Sequence, residues 1–325
     1  MLPINRQVRR SLPAGAGPCP DREVPIMISL AKLGVYLNDE PGDDEALAFT
    51  GLLARISRPA SIHCIHVRGL EDPVATPPPD PQKLRDRLAA VLPADLAGRS
   101  EIRVCEGTGL YEMLRTARHG DLDMIVVGRR LPHDQLGVGA AFYRLARKTP
   151  CDVLVVPAGS MPHLSRLLVL MDGSEHSKMA LEKALFIARA SGERPQVLVQ
   201  SLYSVGYGYQ YTGLSLEEAT RRREALQRKQ IEECLAGVDT SGVAFDVVYT
   251  CSLDTAAAAH DLASARNMDA IVIGSRGSTL PAIALLGATT ERVLLNAPVP
   301  VLVVKRKGET FRFLDALLEG LQAPG

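Results

Sequence analysis

The chain contains the same stretch of sequence twice. Leu122-Asp123-Met124-Ile125-Val126-Val127-Gly128 returns as Met268-Asp269-Ala270-Ile271-Val272-Ile273-Gly274, with Gly128 and Gly274 standing 146 residues apart. Pro150-Cys151-Asp152-Val153-Leu154-Val155-Val156 returns as Pro298-Val299-Pro300-Val301-Leu302-Val303-Val304, now 148 residues on. A repeat of this period means one domain present in two copies, and 325 residues is a natural length for two domains. The boundary falls near Ala158–Leu164. This predicts a first copy over residues 26–160 and a second over 161–307, flanked by a disordered arm (1–25) and an amphipathic C-terminal helix (308–325). The two-residue difference in offset puts a shorter loop after the fourth strand of the first copy.

Within each copy, short apolar runs alternate with amphipathic stretches. In the second copy the strands are Leu167–Met171, Val197–Leu202, Phe245–Tyr249, Ala270–Ile273 and Val301–Val304. Between them lie a helix through Met179, Leu181, Leu185 and Ile187, a charged helix Leu216–Leu235, and helices at Thr255–Ala265 and about Thr289–Leu295. Strands apolar along their whole length and separated by helices indicate a parallel sheet covered on both faces. Right-handed crossovers make each copy a doubly wound α/β unit of five strands. In the first copy the apolar run Ile26–Leu37 is read as the opening core strand.

Charge and cysteine usage remove several function classes. Lys+Arg and Asp+Glu are each 37, without the basic surplus of a phosphate-backbone binder. Aromatic residues are 4% with no Trp, which leaves little to stack bases on. The six cysteines form no CxxC pair and have no His at ligand spacing, against structural zinc and in keeping with idle thiols in a reducing cytoplasm. No apolar run approaches the ~20 residues of a membrane span. The expectation is a cytoplasmic protein that engages neither nucleic acid nor membrane.

One stretch carries chemistry. The strand Ala270–Ile273 runs into Gly274-Ser275-Arg276-Gly277, and nine residues later Gly287-Ala288-Thr289-Thr290 opens a helix. Glycine after a strand lets the backbone turn and brings amide N–H groups close to a ligand. A helix start adds unpaired donors and the positive end of the helix dipole, which suit a phosphate chain. In open parallel sheets, ligands sit beyond the carboxyl ends of the strands at a switch point, where this motif falls.

At these residues the chain resembles the universal stress protein family, whose G-x2-G-x9-G-[ST] pattern is met by Gly274, Gly277 and Gly287 and departed from at Ala288. The opening Leu168-Val169-Leu170-Met171-Asp172-Gly173-Ser174 and the ending Asn296-Ala297-Pro298-Val299-Pro300-Val301-Leu302-Val303-Val304 are also similar to the family's. The resemblance implies an adenine nucleotide alpha hydrolase-like fold in two tandem copies. They would form a pseudo-dimer whose last strands, Val153–Val156 and Val301–Val304, pair antiparallel. It also implies ATP or another adenine nucleotide, with or without Mg²⁺, in the second copy. Asp172 would contact the adenosine, with Met171 and Ile273 flanking the base. Gly274, Arg276 and Gly277 would line ribose and phosphates, and Gly287, Ala288 and Thr289 would hold the terminal phosphates. The function implied is a stress-response sensor or regulator rather than an efficient enzyme, since neither a general base nor a set of metal carboxylates is evident. The alternative is a scaffold that works without nucleotide.

The first copy departs further. Gly128-Arg129-Arg130-Leu131 has Leu where the second glycine belongs, and Asn38 or Asp39 takes the place of Asp172 in an acidic turn that repels phosphate. This copy is expected to bind no ATP. A loop from Tyr203 to Gly213 holds four of the eight tyrosines beside the proposed site, as a lid, an oligomer contact or an undirected loop. The tail places Phe311, Leu314, Leu318 and Leu321 on one helical stripe that packs on its own domain or on a partner chain, such as a second copy in a homodimer.

Overall fold

The computed structural model describes residues 30–37, 42–68, 80–106, 109–129, 140–192, 194–206, 209, 211, 213–277 and 286–307. The arm, the C-terminal stripe, the Asn38–Asp39 turn, Leu131, Gly139 and residues 207, 208, 210 and 212 of the tyrosine-rich loop lie outside them. The first half runs β1 (Lys32–Leu37), α1 (Asp43–Ser57), β2 (Ser61–Arg68), α2 (Pro81–Val91), α3 (Ala94–Ala97), β3 (Glu101–Glu106), α4 (Gly109–His119), β4 (Met124–Arg129), α5 (Ala140–Lys148) and β5 (Asp152–Pro157). The second runs β6 (Arg166–Leu170), α6 (Glu175–Ala190), β7 (Gln196–Tyr203), α7 (Leu216–Leu235), β8 (Ala244–Cys251), α8 (Thr255–Ala265), β9 (Ala270–Gly274), α9 (Ala288–Asn296) and β10 (Val301–Val304). The opening strand is shorter than its apolar run, beginning at Lys32.

All ten strands form one sheet, in the order β3-β2-β1-β4-β5-β10-β9-β6-β7-β8. Every pairing is parallel except β5 with β10, the antiparallel pairing that the resemblance implies. There Val301 faces Val155, Leu302 faces Leu154 and Val303 faces Val153. Leu154 and Leu302 are equivalent residues of the repeat, so the internal two-fold passes through this pair. Side chains alternate between two apolar clusters, one under each layer of helices. Val35, Leu154, Val169, Val272 and Leu302 go to the first, and Tyr36, Val153, Leu168, Ile271 and Val303 to the second. With both faces covered, an uninterrupted run of Val, Ile and Leu is the stable choice.

Equivalent carboxylates tie the strand starts together. Asp123 Oδ2 accepts from the N–H groups of Ala31 (2.8 Å) and Lys32 (3.0 Å), and Asp269 Oδ2 from those of Ser165 (2.9 Å) and Arg166 (2.8 Å). The seam, by contrast, is closed by residues that are not equivalent. Lys305, which follows β10, donates from Nζ to the Thr149 carbonyl at the end of α5 (2.6 Å), while its N–H donates to Asp152 Oδ1 (2.8 Å). Lys183 of α6 holds the other Asp152 oxygen at 2.6 Å. In the opposite direction, Arg129 at the end of β4 donates from Nη1 to Leu295 O (2.6 Å) and from Nη2 to Ala297 O. Each half thus caps the last helix of the other with a buried cation, where the helix dipole is negative. Burial lowers the pKa of both cations, that of Lys305 to about 8.

Candidate functional site

In the second half the first strand is β6, and its neighbours β7 and β9 lie on opposite sides of it. The switch point therefore falls at the carboxyl ends of β6 and β9, where the structure gathers most of the motif. Met171 follows β6, with its N–H on Gln200 O at 3.0 Å. Asp172 then begins a tight turn in which its Oδ1 accepts from the Ser174 N–H (3.0 Å) and Gly173 takes a φ of 83°. Ser174 caps α6 by accepting from the Ser177 N–H. From the far side α7 holds the turn: Gln230 Nε2 donates to Asp172 O (3.1 Å) and Cys234 Sγ to Gly173 O (3.1 Å). Sequence periodicity offers no sign of these two residues.

Gly274, the last residue of β9, and Gly277, just beyond it, do different work. A Cβ on Gly274 would lie 2.8 Å from the backbone carbon of His176 and 2.9 Å from its oxygen, so this glycine lets the strand end pack against the first turn of α6. Gly128 does the same in the first half, where a Cβ would lie 2.5 Å from the backbone of Gly42. At Gly277, a Cβ would instead meet the tip of a side chain, Asp172 Oδ2, at 2.7 Å. Gly277 and the Asp172 carboxylate therefore share one surface.

The start of α9 closes the site. Gly287 is its N-cap and has no side chain to cap with; its own N–H donates to Ser275 O (2.8 Å). Thr290 is buried and turns inward, its hydroxyl donating to Gly274 O at 2.9 Å. Ala288 and Thr289 are exposed on the first turn. Those bonds fasten the first turn of α9 to the end of β9, and the amide donors of that turn are the ones a helix itself leaves unpaired. Met171 and Ile273 are 2% and 6% exposed and belong to the apolar clusters on opposite faces of the sheet.

Charges of both signs meet at the site. Arg276 is half-buried, and burial followed by repulsion from Arg306 lowers its pKa. His176 is shifted down by burial, then by Arg276 and Arg306, against the opposing pull of Glu175 and Asp172. Arg306 pairs with Glu175 at 3.2 Å. Two arginines from neighbouring strand ends, a histidine and a helix start thus converge beside the Asp172 turn. Arg306 and His176 went unassigned in the sequence because neither lies inside the glycine motif.

The sequence profile described as "Universal stress protein family" matches residues 31–157 and again residues 163–305. The chain belongs to the universal stress protein family. A universal stress protein of Thermus aquaticus is 32% identical over 139 residues, covering 43% of this chain and 97% of its own. Among solved structures, a universal stress protein from Archaeoglobus fulgidus covers 87% of this chain and 98% of its own with a TM-score of 0.60 at 17% identity. A putative universal stress protein from Pseudomonas aeruginosa covers 90% and 99%, with a TM-score of 0.63 at 17% identity. At that identity the likeness is one of fold, and it runs through both halves of this universal stress protein. No helix among the described residues is long and apolar enough to cross a membrane.

Proposed function

We propose that the second half binds an adenine nucleotide, ATP in the first instance, and that the protein acts as a cytoplasmic stress-response sensor or regulator. The observation that carries this reading is the meeting of the Asp172 carboxylate with Gly277, where an added Cβ would displace that carboxylate, near a helix start and beside Arg276. A carboxylate accepts from an exocyclic amine or a ribose hydroxyl, and Arg276 with the first amides of α9 receives phosphate oxygens. Gly274 enters as packing, which frees the ligand-facing role for Gly277. The apolar Met171 and Ile273 support the floor of the site from within the core.

The nucleotide-independent scaffold is favoured by one feature, the exposed Ala288 where nucleotide-binding relatives carry a hydroxyl. Calorimetric titration of the full chain with ATP and with adenosine separates the two readings, together with native mass spectrometry of the protein as purified. ATP bound more tightly than adenosine supports the nucleotide site. No heat with either ligand, and no nucleotide carried through purification, leaves the scaffold.

A further inference from the structure

The first half has lost the second glycine of the motif, yet the residue after its first glycine is buried in the other half. Arg129 is 3% exposed, and its guanidinium forks onto Leu295 O and Ala297 O at the C-terminal end of α9. The same end receives His260 Nε2 on Val293 O at 3.0 Å. Nine residues away, about 13 Å along the axis, the other end of α9 is tied to β9 through Gly287 and Thr290. The first half also reaches this end: burial, followed by Glu291 in the first turn of α9, raises the pKa of Tyr143 in α5.

We propose that Arg129 is a positioning residue for the nucleotide site of the second half: by holding the C-terminal carbonyls of α9, it fixes how the helix presents its first amides to the phosphates. The inference rests on the nucleotide reading above and assigns the degenerate half a task within it. A helix pinned at both ends is a strut. Held at its C-terminal end by His260 alone, it shifts along the sheet by the few tenths of an ångström that spoil amide-to-phosphate geometry. The fork matters as well as the charge, because two parallel bonds set the direction of the carbonyls in a way that a single ammonium does not. Adenosine is the natural control, since it engages Asp172 and leaves the α9 amides alone.

The test uses the full chain with Arg129→Gln, Arg129→Lys and, as a seam control, Lys183→Met, which cuts the buried pair with Asp152 without touching α9. Calorimetry with ATP and with adenosine is paired with hydrogen exchange of the α9 amides in the ligand-free protein. Arg129→Gln is expected to weaken ATP by about 3- to 30-fold, leave adenosine unchanged and speed exchange along α9, with Arg129→Lys intermediate and Lys183→Met like wild type. Equal loss for ATP and adenosine, or equal loss in Lys183→Met, overturns the strut and leaves a general weakening of the fold. ATP affinity unchanged in Arg129→Gln also overturns it, whereas a wild-type protein that binds no ATP overturns the nucleotide reading on which it rests.

Discussion

Adding one methyl group to Gly274 or to Gly277, at the end of β9 and just past it, distinguishes a ligand-facing position from a packing position. At Gly277 the new Cβ starts 2.7 Å from Asp172 Oδ2, about 0.7 Å short of ordinary contact at 3.4 Å. What yields is the tip of a carboxylate, because the backbone of that turn is held independently by Gln230 and Cys234. Folding stability should therefore stay within ~0.5 kcal/mol of wild type. The displaced carboxylate loses its charge-assisted bond to the nucleoside, a cost of ~1.5–3 kcal/mol, or roughly 10- to 100-fold in affinity. Since Asp172 addresses the nucleoside, ATP and adenosine should weaken by the same factor. Gly277→Val should abolish detectable binding with the fold intact. At Gly274 the same methyl meets the backbone of His176, which has nowhere to go, and overpacking of this kind costs ~1–3 kcal/mol of stability. Gly274→Ala should lower the midpoint of urea unfolding, whereas Gly277→Ala should not. Calorimetry and urea titration on both variants decide the matter. A Gly277→Ala protein that binds ATP like wild type, or that unfolds as easily as Gly274→Ala, refutes the division of labour.

Ala288→Ser places a hydroxyl on the exposed first turn of α9 and should tighten ATP by ~1.5–3 kcal/mol, 10-fold or more, with less gain for adenosine; calorimetry reads the difference, and Thr289→Val should weaken ATP if Thr289 already fills the role. Lys305 supplies a pH test. Below pH 8 folded and unfolded chains both carry its charge, while between about 8 and 10.5 only the unfolded chain keeps the proton. Stability from this group should therefore rise with pH across that window, by at most about 3 kcal/mol, and Lys305→Met should lack the rise in urea unfolding at pH 7.5 and 10. Finally, separated halves, about 1–160 and 161–325, would expose β5 and β10 as apolar edges, so each should dimerise or aggregate on a sizing column; two monodisperse monomers would contradict this.

Where the chain obeys local rules, its structure could be read from the sequence. The helices Leu216–Leu235 and Thr255–Ala265 and the strand Val301–Val304 lie where their patterns put them, because cap, periodicity and apolar run agree there: Ser215 makes a capping box with Glu218, and Asp254 caps α8. The antiparallel seam followed from family resemblance, not from the strands' own pattern. The misses arose where contacts are long-range. Tyr203 belongs to β7, not to the tyrosine-rich loop: it is buried, with its hydroxyl on Glu224 at 3.0 Å, a partner 21 residues away. Gly274 looked like a ligand glycine because the helix it packs against is remote in sequence. Arg129 and Lys305 were invisible for a subtler reason. They do the same job on opposite sides of the two-fold from positions that do not correspond, so comparing the repeats could not pair them.

The Leu154–Leu302 pair has a consequence for what such a chain can become. Were two identical chains to meet at this leucine, every substitution would appear on both sides of the axis at once. An arginine placed after the strand-end glycine to grip the opposite helix would then stand at both sites, and neither copy would keep the small Ser275 beside the glycine loop. Joining the halves in one polypeptide lifts that constraint. Ser275 and Arg129 occupy corresponding positions and diverge freely, one beside the glycine loop and the other across the axis. Covalent linkage also makes the encounter intramolecular, at the millimolar effective concentrations typical of short tethers. Dilution therefore does not separate the specialised half from the one it serves.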